Sequence, residues 1–274
     1  MKIRIGCCTN MLADASDRTG IKWIDQAILA GFKYIEPPLA EFMNLSEGKL
    51  REVESRLKNS KIKIEAFCNL FPAGIHLTGP QVDFSRIDGY MEQALALADR
   101  FGAECVVFGS GAARRVPEKF DREKAFLQLK QLTGHMGRIA DKYGITIVIE
   151  PLNREECNII NTFREGCIFA EQVGDPRIRV LADYYHFSLE QDSIEDLKKY
   201  GKQYLRHVHF AETKGRFYPK DKKPEYREFI CALQEAGYKG RISCEGYSDD
   251  LLTDGKNGIR ILTEIWDAAT EETK

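Results

Sequence analysis

The chain has 274 residues, with 40 Lys and Arg against 42 Asp and Glu, and a formal charge of −2. A hydrophobic fraction of 43% excludes the disordered regime, and the balanced charge excludes a nucleic-acid partner held by a broad basic surface. No run approaches the roughly 20 apolar residues of a membrane span, so no membrane partner is expected.

The first expected strand is Ile3–Cys8, in a start (MKIRIGCCTNML) whose apolar run is too short before Asp14 to read as a signal peptide. Cys7 and Cys8 are then neighbours on a strand and face opposite sides. None of the eight cysteines forms a CxxC pair, and several sit in apolar strand-like runs. Reduced, buried thiols and a cytoplasmic location are expected.

From there one junction repeats along the chain: helical periodicity stops at a glycine and a β-rich run follows. It occurs at AGFKYIE (Gly31), FGAECVVFG (Gly102), YGITIVIE (Gly144), VGDPRIRVLAD (Gly174), YGKQYLRHVHF (Gly201) and AGYKGRISCE (Gly237). KNSKIKIEAF offers Asn59 in the same place. Glycine, and next asparagine, tolerates the left-handed conformation that ends a helix. Between joints, Ile87, Met91, Leu95, Ala98 and Phe101 form one helical face behind Asp83 or Ser85 as the cap. Phe126, Leu129, Leu132, Met136, Ile139 and Tyr143 form another, and Ile259, Leu262, Ile265 and Trp266 a last one. Seven strands after joints plus the first give eight, alternating with helices. That pattern means parallel strands with helical crossovers, and a single (β/α)8 TIM barrel over residues 1–274. No GxGxxG follows a strand, which removes the main dinucleotide signature.

Active sites of such barrels lie at the C-terminal ends of the strands. ITIVIE ends in Glu150, IRVLAD in Asp183, LRHVHF reaches His209, and RISCE ends in Glu245. Period-two alternation turns Val148 inward with Glu150, Ser243 and Arg241 inward with Glu245, and His207 inward one layer below His209. Three carboxylates and one imidazole form an oxygen-rich ligand set suited to Mn²⁺, Mg²⁺ or Co²⁺, with positions left for substrate. His207 is expected to be a hydrogen-bonded core residue, and His76 and His135 structural or solvated. Trp23, Phe42, Phe67 and Phe71 are either walls for a substrate face or core. GSGAARR after the fourth strand is either an anion pocket with Arg114 and Arg115 or a solvated loop start. KGRFYPKDKKP, from Lys214, reads as a lid or a solvated loop.

EPLNREECNIINT (150–162), DYYH (183–186), HVHFAE and ISCEGY resemble the xylose-isomerase-like barrel superfamily of sugar isomerases and epimerases. Within it they are most similar to the D-tagatose/D-allulose 3-epimerase branch. The resemblance implies Glu150, Asp183, His209 and Glu245 as metal ligands, with Glu150 and Glu245 also the acid/base pair. It implies Glu156, His186 and Arg216 as substrate-binding residues. It further implies a divalent metal, Mn²⁺ foremost, a small-molecule sugar substrate, a homo-oligomer (dimer or tetramer), and proton transfer beside a ketose carbonyl through an enediolate. A lyase on the same ligands (inosose-dehydratase-like or C-glycoside-cleaving) and an aldose–ketose isomerase resembling hydroxypyruvate isomerase are the alternatives. The superfamily's DNA-repair endonucleases need a trinuclear zinc cluster, for which five histidines are too few.

Overall fold

The computed structural model describes residues 2–272. Its strands are β1 (Arg4–Cys8), β2 (Ile35–Glu36), β3 (Ala66–Phe67), β4 (Cys105–Phe108), β5 (Thr146–Ile149), β6 (Ile178–Asp183), β7 (Leu205–Phe210) and β8 (Arg241–Cys244). All ladders are parallel, in the spatial order β2-β1-β8-β7-β6-β5-β4-β3. Parallel bridges Ile35–Ile64 and Pro38–Cys68 join β2 to β3 and complete the circle. The crossovers are helices Ile24–Ala30, Glu47–Lys58, Phe84–Arg100, Arg122–Tyr143, Phe163–Val173, Ile194–Tyr204, Pro224–Glu235 and Leu251–Glu272, one after each strand. The architecture is the expected (β/α)8 barrel. Among the described residues, no helix is long and apolar enough to cross a membrane.

Five of the seven joints close as expected. Gly31, Gly102, Gly144, Gly174 and Gly237 all have φ between 69° and 102°, the region where a side chain would strain. The other two differ. Asn59 stays right-handed at φ −86°, and the helix before it simply stops one residue short. Gly201 lies inside helix Ile194–Tyr204, and the chain leaves through extended Leu205. Its reason is packing, since a Cβ there would sit 2.8 Å from that of Ala236, just past the end of helix Pro224–Glu235. Asp83, not Ser85, caps helix Phe84–Arg100 by accepting from the Arg86 amide.

The alternation of side chains separates two cores. Outside the sheet, Ile147 and Ile149 of β5 join one continuous layer with the helices. Inside, Val148 meets Cys68, Val107 and Leu181. Each such buried aliphatic side chain stabilises the fold by about 1.5–3 kcal/mol. Cys7 belongs to the outer layer, while the Cys8 sulfur sits inside, 3.7 Å from His209 Nε2. All eight cysteines are free thiols, seven of them buried. The barrel's lower end is tied by Arg241, which pairs with Glu65 at 2.7 Å and also with Glu104, while Arg4 pairs with Glu65.

Candidate active site

Glu150 and Glu245 stand one residue past β5 and β8, yet their amides still bond the neighbouring strands, to Phe108 O (3.2 Å) and Phe210 O (3.0 Å). Asp183 and His209 are ladder partners on β6 and β7. The four side chains, all buried, bring one donor atom each to within 4.8 Å of one another. His209 Nδ1 lies 3.3 Å from Glu150 Oε1 and 3.2 Å from Glu245 Oε2.

Three of the four groups have one atom committed to a hydrogen bond and one presented, Glu150 being the exception. Asp183 Oδ1 caps the short helix Tyr184–Leu189 by accepting from the Tyr185 amide at 3.0 Å, and Oδ2 has no hydrogen-bond partner, with Arg216 Nη2 3.7 Å away. Glu245 Oε1 accepts from Asn10 Nδ2 at 2.8 Å, leaving Oε2 toward the centre. His209 Nε2 donates to Glu36 at 2.9 Å, and Nδ1 is unpartnered, as is Glu150 Oε1. Leaving three buried polar atoms side by side unpaired costs about 1–3 kcal/mol each. A divalent cation in their midst satisfies all three, and one imidazole with three carboxylates is a ligand set such an ion takes. The residues present therefore fit the group.

Electrostatics follow from the crowding. Burial, with Glu245 and Glu150 alongside, pushes the Asp183 carboxyl up to about 7 despite Arg216. Burial works against the Glu245 charge too, but Arg216 and His209 outweigh it and hold that carboxyl well below the usual range. Arg216 Nη2 reaches Glu245 Oε2 at 2.6 Å, and Nη1 reaches Glu156 Oε1 at 3.3 Å. Its backbone is left-handed, φ 53°, which sets the guanidinium 4.6 Å above the Tyr185 ring. The strain is held by the flanking pairing, Glu212 N to Phe217 O (2.8 Å) and Tyr247 N to Arg216 O (2.8 Å).

His186 is 1% exposed. Its Nδ1 accepts from the Asn153 amide (3.2 Å) and Nδ2 (2.9 Å), so the proton of the neutral ring resides on Nε2. That Nε2 is unpartnered, lying 3.6 Å from Asp183 Oδ2 and 3.8 Å from Glu156 Oε2. Burial, with Arg216 nearby, brings the ring down to about 3, so it is a neutral donor at ordinary pH.

All seven expected site residues thus surround one mouth. Other expectations change. Arg114 is fully buried and donates to the carbonyls of Phe108 (3.1 Å) and Glu150, while Arg115 donates to Glu155 O (2.7 Å). Arg115 is exposed, as a solvated loop start would have it, whereas Arg114 is not solvated and ties the ends of β4 and β5 together. The segment from Lys214 is neither a free lid nor wholly solvated, because Tyr218 is buried against Cys7 Sγ at 3.3 Å. Phe42 and Phe67 pack edge to face in the outer core. His135 pairs with Asp88 on the outer helices, and His76 is exposed. Asn10 and Glu36 were missed. Nothing in the sequence marks Asn10, but the run KYIE ends β2 in a glutamate just as ITIVIE leads into Glu150.

The profile described as "Xylose isomerase-like TIM barrel" matches residues 24–268. A D-psicose 3-epimerase from Ruminiclostridium cellulolyticum is 28% identical over 159 residues, 58% of this chain and 52% of that protein. The match therefore spans about half of that relative's length. A ketose 3-epimerase from Arthrobacter globiformis is 23% identical over 271 residues, 96% of this chain and 91% of that protein. The solved structure of an L-ribulose 3-epimerase superimposes with a TM-score of 0.84 at 18% identity, covering 99% of this chain and 97% of that chain. At that identity the likeness is one of fold.

Proposed function

The chain belongs to the xylose isomerase-like TIM barrel family, and from that premise we propose that it is a divalent-metal-dependent ketose 3-epimerase. The observation that carries the reading is the convergence of Glu150, Asp183, His209 and Glu245, each with an atom directed at one buried point. Epimerase names on the matched relatives favour epimerisation over a lyase or an aldose–ketose isomerase.

When bound by Glu150, Asp183, His209 and Glu245, the ion, Mn²⁺ foremost, supplies electrophilic stabilisation for negative charge developing on two adjacent sugar oxygens. The protein does the rest. Glu150 and Glu245 come from β5 and β8, separated by β6 and β7, so they address the substrate from different sides. The one that is ionised takes the proton beside the carbonyl, and the other, entering the step as the carboxylic acid, gives its proton to the opposite face of the enediolate, inverting that carbon and exchanging the protonation states of the pair. His186, neutral with its proton on Nε2, donates to a substrate oxygen and gives up no proton. Glu156 and Arg216 bind neighbouring hydroxyls, and Arg216 also keeps Glu245 ionised and ready as a base. A cytoplasmic single-barrel chain assembled as a dimer or tetramer belongs to the same proposal.

Two measurements test it. Elemental analysis is expected to give about one Mn, Co or Mg per chain; three zinc ions per chain would refute the assignment. Ketoses incubated in D₂O should take up deuterium beside the carbonyl, and Glu245→Gln should abolish that uptake with the fold retained. Absence of exchange with every free and phosphorylated ketose, or full activity in Glu245→Gln, would overturn the mechanism.

A further inference from the structure

Below the site lies a second polar layer that the mechanism does not use. Glu36, at the end of β2, has no exposed surface. Its Oε2 accepts from His207 Nε2 at 2.8 Å and from Ser243 Oγ at 2.6 Å, and its Oε1 accepts from His209 Nε2 at 2.9 Å. Ser243 is in turn 2.7 Å from the Tyr34 hydroxyl. Gly6 makes room for that tyrosine, because a Cβ there would lie 2.2 Å from its ring.

These contacts fix the direction of every proton in the layer. An ionised carboxylate only accepts, so Ser243, His207 and His209 must all donate to it. Ser243, having given its proton to Glu36, accepts from Tyr34. A metal-ligating imidazole is neutral, so the one proton His209 then keeps is confined to Nε2, and the Nδ1 lone pair faces Glu150 and Glu245. We propose that Glu36 is a positioning residue that selects Nδ1 of His209 as the nitrogen presented to the metal. His207 and Ser243 hold Glu36 in register for that task. The inference rests on the metal-site reading above and adds to it a cause for the tautomer and ring angle of its one nitrogen ligand.

The test compares substitutions that differ in acceptor capacity. Glu36→Leu keeps apolar bulk but offers no acceptor. Glu36→Gln keeps one: its amide oxygen can serve His209 while its NH₂ serves His207, whose unpartnered Nδ1 can take the displaced proton. Calorimetric titration of metal-free protein with Mn²⁺ is expected to show affinity about 10–100-fold weaker in Glu36→Leu and within a few-fold of wild type in Glu36→Gln. Equal affinity for wild type and a folded Glu36→Leu overturns the inference and leaves the metal site standing. No divalent binding by wild type overturns both. Two ions per chain also overturn it, because an ion on Glu36, His207 and His209 would displace the protons. Should Glu36→Leu fail to fold, long-range ¹H–¹⁵N spectra of zinc-loaded wild type still decide. Nε2–H on His209 is expected, and Nδ1–H refutes the role of Glu36.

Discussion

Replacing Gly109 by alanine should stabilise the fold and disable the site. Gly109 follows β4 and is not among the glycines at positive φ. Alanine therefore adds no backbone strain there and removes freedom from the unfolded chain, a gain of about 0.4–1 kcal/mol. The added methyl, however, would lie 2.1 Å from Glu150 Oε2, where ordinary contact begins near 3.4 Å. The obstacle is the end of a side chain, so the carboxylate yields, by about 1 Å, and the backbone does not. A displacement of that size at a reacting group costs about 100-fold in rate. Differential scanning calorimetry of the metal-free variant should show an unchanged or slightly raised Tm, while deuterium exchange into ketose falls about 100-fold. Full exchange activity in Gly109→Ala would show that the position of Glu150 does not matter to the chemistry. A large fall in Tm would show that the backbone, not the carboxylate, absorbed the methyl.

Two further outcomes follow from the same geometry. Because the Asp183 carboxyl is raised to about 7, protons compete with the metal there below neutrality, and the raised His209 imidazole extends that competition; Mn²⁺ affinity should rise with pH through this range. The sign for stability is opposite. Between the ordinary carboxylate range and about 7 the folded metal-free protein binds more protons than the unfolded chain, so this group's contribution to stability falls as pH rises through that window. Titrations across that range check both, and a pH-independent metal affinity would refute the account. Arg114→Met should destabilise the protein by about 2–4 kcal/mol in urea unfolding, because the carbonyls of Phe108 and Glu150 lose their donor. A loss below about 1 kcal/mol would mean that water replaces the guanidinium.

The sequence disclosed what is encoded locally. A glycine at the helix exit and a β-rich run after it are neighbours in the chain, so Gly31, Gly102, Gly144, Gly174 and Gly237 were readable one joint at a time. Alternation then carried Glu150, Asp183, His209 and Glu245 to the inner face without further information. Failures came where the cause is a distant neighbour. Gly201 looked like a helix end but answers to Ala236 at the exit of the following helix. Arg114 looked like a loop cation but reaches a carbonyl 36 residues on. Glu36 meets His207 across 171 residues, and no spacing rule connects β2 to β7 until the barrel has closed.

Barrel closure also explains why the site can be both buried and ready. A carboxylate or imidazole has two polar atoms, and an open sheet could fix at most the backbone beneath them. Here the closed wall supplies a second partner for two of the four, and a local helix cap supplies one for a third. Asn10, from the loop after β1, takes one oxygen of Glu245; the Tyr185 amide takes one of Asp183; and Glu36 on β2 takes one nitrogen of His209. Each partner removes a rotational choice and directs the remaining lone pair at the common point. The fourth, Glu150, is fixed differently, by the close approach of Gly109 to Oε2 and by Arg114 on its carbonyl. One group of the set is thus placed by steric fit and the others by hydrogen bonds. For that reason a single methyl at residue 109 should disturb Glu150 while Asp183, His209 and Glu245 keep their positions.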